Sequence, residues 1–340
     1  FNGGSKYTGE ASILAILMMI FGVAILLLNQ ISVKSRKSYT TVTGKSGQIS
    51  KFNLGRSGKY IIAIILIIIT FFTSIFPIVS FAFETFLPNP GDYSFLYTGD
   101  PDNLTTKWWV TNENITENGM YGQQGILYND MIWHAYKGTI MVSVCCALTA
   151  GTIGTLIGYA VSKNRRSRWA NYVNSVAFLP YLMPSIAVGV AFFILFSNKY
   201  VNLFNTYALL IIVGTVKYIP FASRSSLNSM LQLSGEIEEA AIIQDIPWTK
   251  RMTRIIIPIQ KTSIISGYLL PFMTCLRELS LFILLCVQGF ILSTTLDYFD
   301  EMGLYAFSSG INLILIVTIL ICNALVNKAT GASLDKGIGG

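Results

Sequence analysis

The chain has 340 residues, 52% of them hydrophobic and only 12% charged, with a mean hydropathy of +0.56. A soluble domain carries roughly twice that charged fraction, so composition excludes one, and several apolar runs reach the ~20 residues that cross a ~30 Å hydrocarbon core. The net charge of +7 does not read as a nucleic-acid surface, because the basic residues gather in particular loops, as membrane topology requires.

The apolar runs lack the alternating ten-residue pattern of a barrel, so the chain reads as all-α, a polytopic membrane protein with about seven transmembrane helices. The first span is predicted over 11–33. A loop with Lys34, Arg36, Lys37, Lys45, Lys51, Arg56 and Lys59 and no Asp or Glu follows, which places it on the cytoplasmic side. The second span covers 60–87, with Pro77 as a kink. The segment 88–133 holds Asp92, Asp100, Asp102, Glu113, Glu117 and Asp130 against Lys107, so it is expected outside, either docking a partner or simply solvated.

The third span covers 137–162. Gly151, Gly154 and Gly158 fall on one face and permit close helix approach, and Lys163, Arg165, Arg166 and Arg168 mark its inner end. The fourth, 172–197, contains Pro180 and Pro184, which break the hydrogen-bond ladder. The fifth covers 203–221, and a polar cytoplasmic segment is expected over 222–261. The sixth, 262–287, contains Arg277 and Glu278, the charges that stand well inside a span. The seventh covers 305–326, and the Gly-rich tail reads as flexible. The loop charges agree on an outer N-terminus and a cytoplasmic C-terminus.

Cys145, Cys146, Cys275, Cys286 and Cys322 lie in apolar stretches without metal-ligand spacing and read as packing residues. The single histidine, His134, sits beside Trp133 and Tyr136 and reads as an interfacial anchor. The sequence thus offers neither a catalytic nor a metal-ligating residue.

The polar interruption EEAAIIQDIPWTKRMTRIIIPIQ, residues 238–260, reads as a helix, a turn and a second helix. Ala240 and Ala241 allow a partner's backbone close approach, and Glu238 and Glu239 supply acceptors for Arg or Lys. Pro247 is expected to end the first helix, and Pro258 to start or kink the next. A docking element and a surface hairpin without a partner both fit these residues.

Glu239-Ala240-Ala241, with Ile256-Ile257-Pro258 closing the segment, resembles the EAA loop of type I ABC-importer permeases. Asp245 stands where that family usually has Gly, and Pro247-Trp248 sits one residue early. Leu179-Pro180-Tyr181-Leu182-Met183-Pro184 resembles the family's Leu-Pro…Pro segment. Tyr218-Ile219-Pro220-Phe221 with Arg224 resembles the approach to its loop. Arg277-Glu278-Leu279-Ser280 is similar to the signature of the branch importing iron(III), whose relatives carry thiamine, putrescine or phosphonates.

The resemblance implies a six-helix permease domain over 60–328, preceded by an extra helix and basic linker over 1–59 and followed by a tail over 329–340. The chain begins at Phe1, and the extra helix reads either as the end of a preceding half in a fused polypeptide or as an accessory span.

The resemblance also implies an inner-membrane transport subunit that is not an enzyme and binds no cofactor. No complete Gly-x-x-x-x-Gly-Lys-Ser/Thr loop is present, so ATP and Mg belong to a partner ATPase dimer. The other implied partners are a second permease half, fused or separate, an extracytoplasmic substrate-binding protein and membrane lipid, with no nucleic acid. Glu238, Glu239, Ala240, Ala241, Asp245 and Pro258 are the ATPase-coupling residues on this reading. Arg277, Glu278, Pro180 and Pro184 are candidates for the translocation path, Arg277 and Glu278 equally for a static salt bridge. A secondary transporter or channel is the alternative from another class, and an intramembrane enzyme or scaffold a third.

Overall fold

The computed structural model describes residues 55–89, 91–94, 97, 104–115, 122–165, 167–197 and 200–330, with scattered helical positions between 13 and 24. The predicted first span and basic linker therefore lie almost wholly outside the described residues. Among the described residues the chain is otherwise helix and turn, with two isolated bridges, Ile115 to Gln123 and Ser197 to Asn202.

Helix α1, Gly55–Thr70, passes through a π-turn, Phe71–Ile75, into α2, Phe76–Glu84. Pro77 cannot donate to the helical ladder, and the wider turn just before it accommodates its ring. The stretch Ser57–Glu84 is apolar all round and exposed throughout its most apolar window, as expected of a helix that lies in lipid or against another membrane chain.

The centre of the fold is a pair of helices, α4 and α7. A short helix α3, Lys107–Val110, precedes α4, Asp130–Lys163. Asn129 caps α4 by accepting from the Ile132 amide at 3.3 Å, with Asp130 in its first turn and Lys163 in its last, an order that suits the helix dipole. At 34 residues the helix is about 51 Å long. Helix α7, Tyr207–Gln232, packs along it. A Cβ at Gly154 would meet the Ala222 Cβ at 2.5 Å, and one at Gly158 the Leu227 amide at 2.7 Å, while one at Gly151 would strike Tyr268 of a neighbouring helix. The predicted glycine face is thus real, shared between two partners.

The fourth predicted span is two helices, α5, Arg168–Leu182, and α6, Ser185–Phe196, whose axes turn by 100° at Met183 and Pro184. Pro180 sits inside α5, so the break belongs to Pro184. The fifth span runs past its predicted end at 221, to Gln232. Nothing in 222–232 breaks a helix. Ser223 and Ser229 donate to the local carbonyls of Pro220 and Ser226, and Ser225 and Ser226 to Ser263 O and Thr155 O of neighbouring helices. The helix therefore carries the first residues of the polar segment, 222–232, as a continuation of the fifth span.

Helix α8, Gly235–Ile243, is followed by α9, Trp248–Arg251, a π-turn, Met252–Ile256, and α10, Ile257–Ile259. The chain then turns by 85° into α11, Lys261–Leu276. The predicted sixth span, 262–287, is shorter than expected. It ends at Leu276, and 277–291 is a series of turns leading to α12, Leu292–Glu301, and α13, Tyr305–Thr330. Among the described residues four helical stretches are long and apolar enough to cross a membrane, and up to six if each bent pair counts once.

The bundle has a basic end, with Lys163 and Arg165, and an acidic end, with Asp130, Asp300 and Glu301. At the acidic end part of the segment expected outside, 88–133, folds into a cap. Trp108, Ile126, Ile132, Leu292, Phe299 and Phe307 are buried together, the Trp108 indole donates to Leu87 O at 2.7 Å, and the Ile126 amide to Trp108 O at 2.8 Å.

Candidate coupling site and the polar centre of the bundle

Residues 235–259 form a knob at the basic end. Helix α8 closes with a Schellman cap: the Asp245 amide donates to Ile242 O at 2.9 Å and the Ile246 amide to Ala241 O at 3.1 Å. This closure needs a left-handed residue, and Asp245 supplies it at φ +52°. Asp tolerates that region better than most L-residues, which explains how it occupies the position where Gly was expected. Pro247 does not end the helix. It caps the start of α9, and the Arg251 amide bonds its carbonyl at 3.0 Å. Pro258 lies in the first turn of α10, and the Gln260 side chain ties the following bend to Ser229 O at 3.0 Å.

The two acidic residues face opposite ways. Glu238 and Ala241 are buried, whereas Glu239, Ala240, Asp245 and Pro258 are exposed, as are Ile242 and Ile243. The Glu238 carboxylate pairs with Lys163, accepts from the Tyr159 hydroxyl at 2.5 Å and lies 3.8 Å from Arg251 Nε. Arg251 also donates to Ile246 O at 3.0 Å, and Trp248 packs on Tyr159 with ring centroids 6.2 Å apart. Burial works against the charged carboxylate, but the bonds from Lys163 and Tyr159 and the nearby cations outweigh it and hold its pKa below the ordinary value. A cleft of about 600 Å³ opens beside this cluster, lined in part by Lys163, Arg165, Glu239 and Ile242.

The other expected residues meet at the middle of the bundle, through one that sequence reasoning missed. Lys217 of α7 is buried, and its ammonium donates to Pro180 O at 3.0 Å and Met183 O at 2.6 Å. These are the carbonyls loosened by the break before Pro184. Glu278 accepts from the Tyr218 hydroxyl at 2.8 Å and from the Leu281 amide at 3.1 Å, and its own carbonyl accepts from Ser293 at 2.7 Å. Pro180, Pro184 and Glu278 therefore gather around Lys217 and Tyr218, while Arg277 is exposed. A lone lysine in the apolar run YALLIIVGTVKYIPF was the available signal, since a charge within a span costs several kcal/mol unless it is paired or hydrated. Among the described residues no three His, Cys, Asp or Glu side chains gather as a metal site.

Residues 150–332 match the family described as binding-protein-dependent transport system inner membrane component. The chain is 24% identical over 278 residues to FbpB 1 of Haemophilus influenzae, provisionally named a ferric transport system permease protein, and 22% identical over 277 residues to the ferric transport system permease protein FbpB of Actinobacillus pleuropneumoniae. Each alignment takes in 81% of this chain but only 40% and 37% of those relatives, so the chain spans about two fifths of their length. Its fold is similar to a chain in the crystal structure of a bacterial ABC transporter that imports the acidic polysaccharide alginate, with a TM-score of 0.58 at 16% identity over 81% of this chain and 98% of that one. The match across more than half of its residues shows that this chain belongs to the binding-protein-dependent transport system inner membrane components, a transport protein and not an enzyme.

Proposed function

We propose that the chain is a permease component of an ATP-driven importer in the bacterial inner membrane, with the knob 235–259 as the contact for a separate ATPase. The observation that supports this most directly is the division of labour on α8: Glu238 is tied inward, while Glu239, Ala240 and the 82%-exposed Ile243 face outward. A small exposed face on a rigid mount is what a force-bearing contact requires. ATP and Mg are held by the ATPase dimer. The basic end is cytoplasmic, and the acidic end faces an extracytoplasmic binding protein. A second permease half, fused or separate, completes the path.

Iron(III) is the proposed cargo, on the strength of the ferric relatives. The reading as a secondary transporter fares worse at the broken span. Carbonyls freed at such breaks coordinate ions in those proteins, and here the Lys217 ammonium takes them.

The test is co-purification with the cognate ATPase. Glu239→Arg reverses a charge on the exposed face and is expected to lower recovery of the ATPase by roughly tenfold, about 1.4 kcal/mol. Unchanged recovery would contradict the assignment.

A further inference from the structure

The residues around Glu238 connect the knob to the far end of the molecule. Its carboxylate bonds Tyr159 and Lys163, one turn apart on the last turns of α4, and also faces Arg251 of α9. A single side chain thus joins three elements. Thirty-four residues of unbroken helix lead from there to the acidic end, with no proline among them.

At that end α4 is fixed to the start of α12 and the irregular chain before it. Thr139 Oγ1 accepts from the Leu292 amide at 2.7 Å, and His134 Nδ1 bonds Gly289 O at 2.9 Å. A Cβ at Gly138 would lie 2.1 Å from Phe290 O, so the two backbones touch. The same irregular chain holds Glu278, bonded to Tyr218 beside the Lys217-capped break in the middle of the bundle. A continuous helix anchored at both ends transmits displacement because packed interiors are dense and barely compressible.

We propose that Glu238 is a positioning residue that keys α8 to α4, and that α4 carries the knob's displacement to segment 287–292 at the acidic end. The proposal rests on reading the knob as the ATPase contact. Glu238 acts through Lys163 and Tyr159 and does not touch the ATPase. Glu239 binds and Glu238 couples, although the two are adjacent in sequence.

The experiment uses the full permease reconstituted in proteoliposomes with its ATPase and loaded binding protein, reading cargo moved per ATP hydrolysed alongside ATPase co-purification. Glu238→Gln is expected to lower cargo per ATP by roughly 5- to 10-fold with co-purification unchanged. Reversing both charges, Glu238→Lys with Lys163→Glu, is expected to restore most of the loss. Gly138→Ala, at the opposite end of α4, is expected to uncouple likewise.

Should Glu238→Gln fail to accumulate, Tyr159→Phe removes one bond of the cluster and is expected to give a smaller loss of the same kind. Normal cargo per ATP in Glu238→Gln, or in Tyr159→Phe where it stands in, overturns the proposal. Loss of co-purification in that variant overturns it too, by placing Glu238 at the partner contact. Glu239→Arg run in parallel separates the two ideas: if it leaves ATPase recovery intact, the reading of the knob fails, independently of what Glu238→Gln does to coupling.

Discussion

A carboxylate removed from water needs partners, and Glu238 has found a lysine, a tyrosine and, more distantly, an arginine. Its pKa is lowered in the folded protein, so the cluster stabilises the knob above the ordinary value of 4.5, and this contribution is lost as pH falls through the lowered value. Lys163 is 35% exposed at its side chain, which limits the contribution to about 1–3 kcal/mol. Protease resistance of residues 243–254 in detergent is therefore expected to exceed that of Glu238→Gln at neutral pH, with the gap closing as pH is taken down through 4.5 and below.

Lys217 poses the same problem deeper in the bundle. Lys217→Met keeps the length of the side chain but leaves Pro180 O and Met183 O without their donor, at a cost of about 1–3 kcal/mol. A lowered thermal midpoint of the purified protein, with new cleavage near 183, is the expected result. The sequence displayed Lys217 openly, but its role was hidden, because the carbonyls it caps lie 34 and 37 residues away. The inward turn of Glu238 is hidden in the sequence for a similar reason. Spacing shows that Glu238 and Glu239 are neighbours, while which of them turns inward depends on where α4 ends.

At the level of elements, the sequence was most informative where backbone chemistry is strict. The glycines of α4 announced a close helix contact, and Gly154 makes it against Ala222. Gly154→Leu is expected to force α4 and α7 apart and destabilise the protein by about 1–3 kcal/mol, read as a fall in thermal midpoint larger than that of a surface control on the same helix, Leu148→Ala, at a residue 55% exposed. Prolines were partly legible. Pro184 breaks its span and Pro77 follows a π-turn, yet Pro180 and Pro220 remain inside helices, since tertiary contacts decide which freed carbonyls find donors. The ends of α7 and α11 were misplaced because serines continue a helix when their hydroxyls bond local carbonyls, and because Glu278 prefers a capping bond to the Leu281 amide over a place in the helix.

Across the whole molecule, hydropathy and charge bias identified the membrane class and the two polar ends, while the buried cap around Trp108 and Phe307 escaped notice because its residues are dispersed among acidic and polar ones. The proposed function puts the knob on the cytoplasmic face, covered there by an ATPase. The most direct test places a cysteine at the 82%-exposed Ile243 and labels Ile243→Cys with a membrane-impermeant maleimide, using the parent protein with its own five cysteines as the blank. The account predicts labelling in inside-out vesicles, none in right-side-out vesicles, and protection when the ATPase is added. Labelling from the right-side-out face, or labelling that the ATPase leaves unchanged, would contradict it.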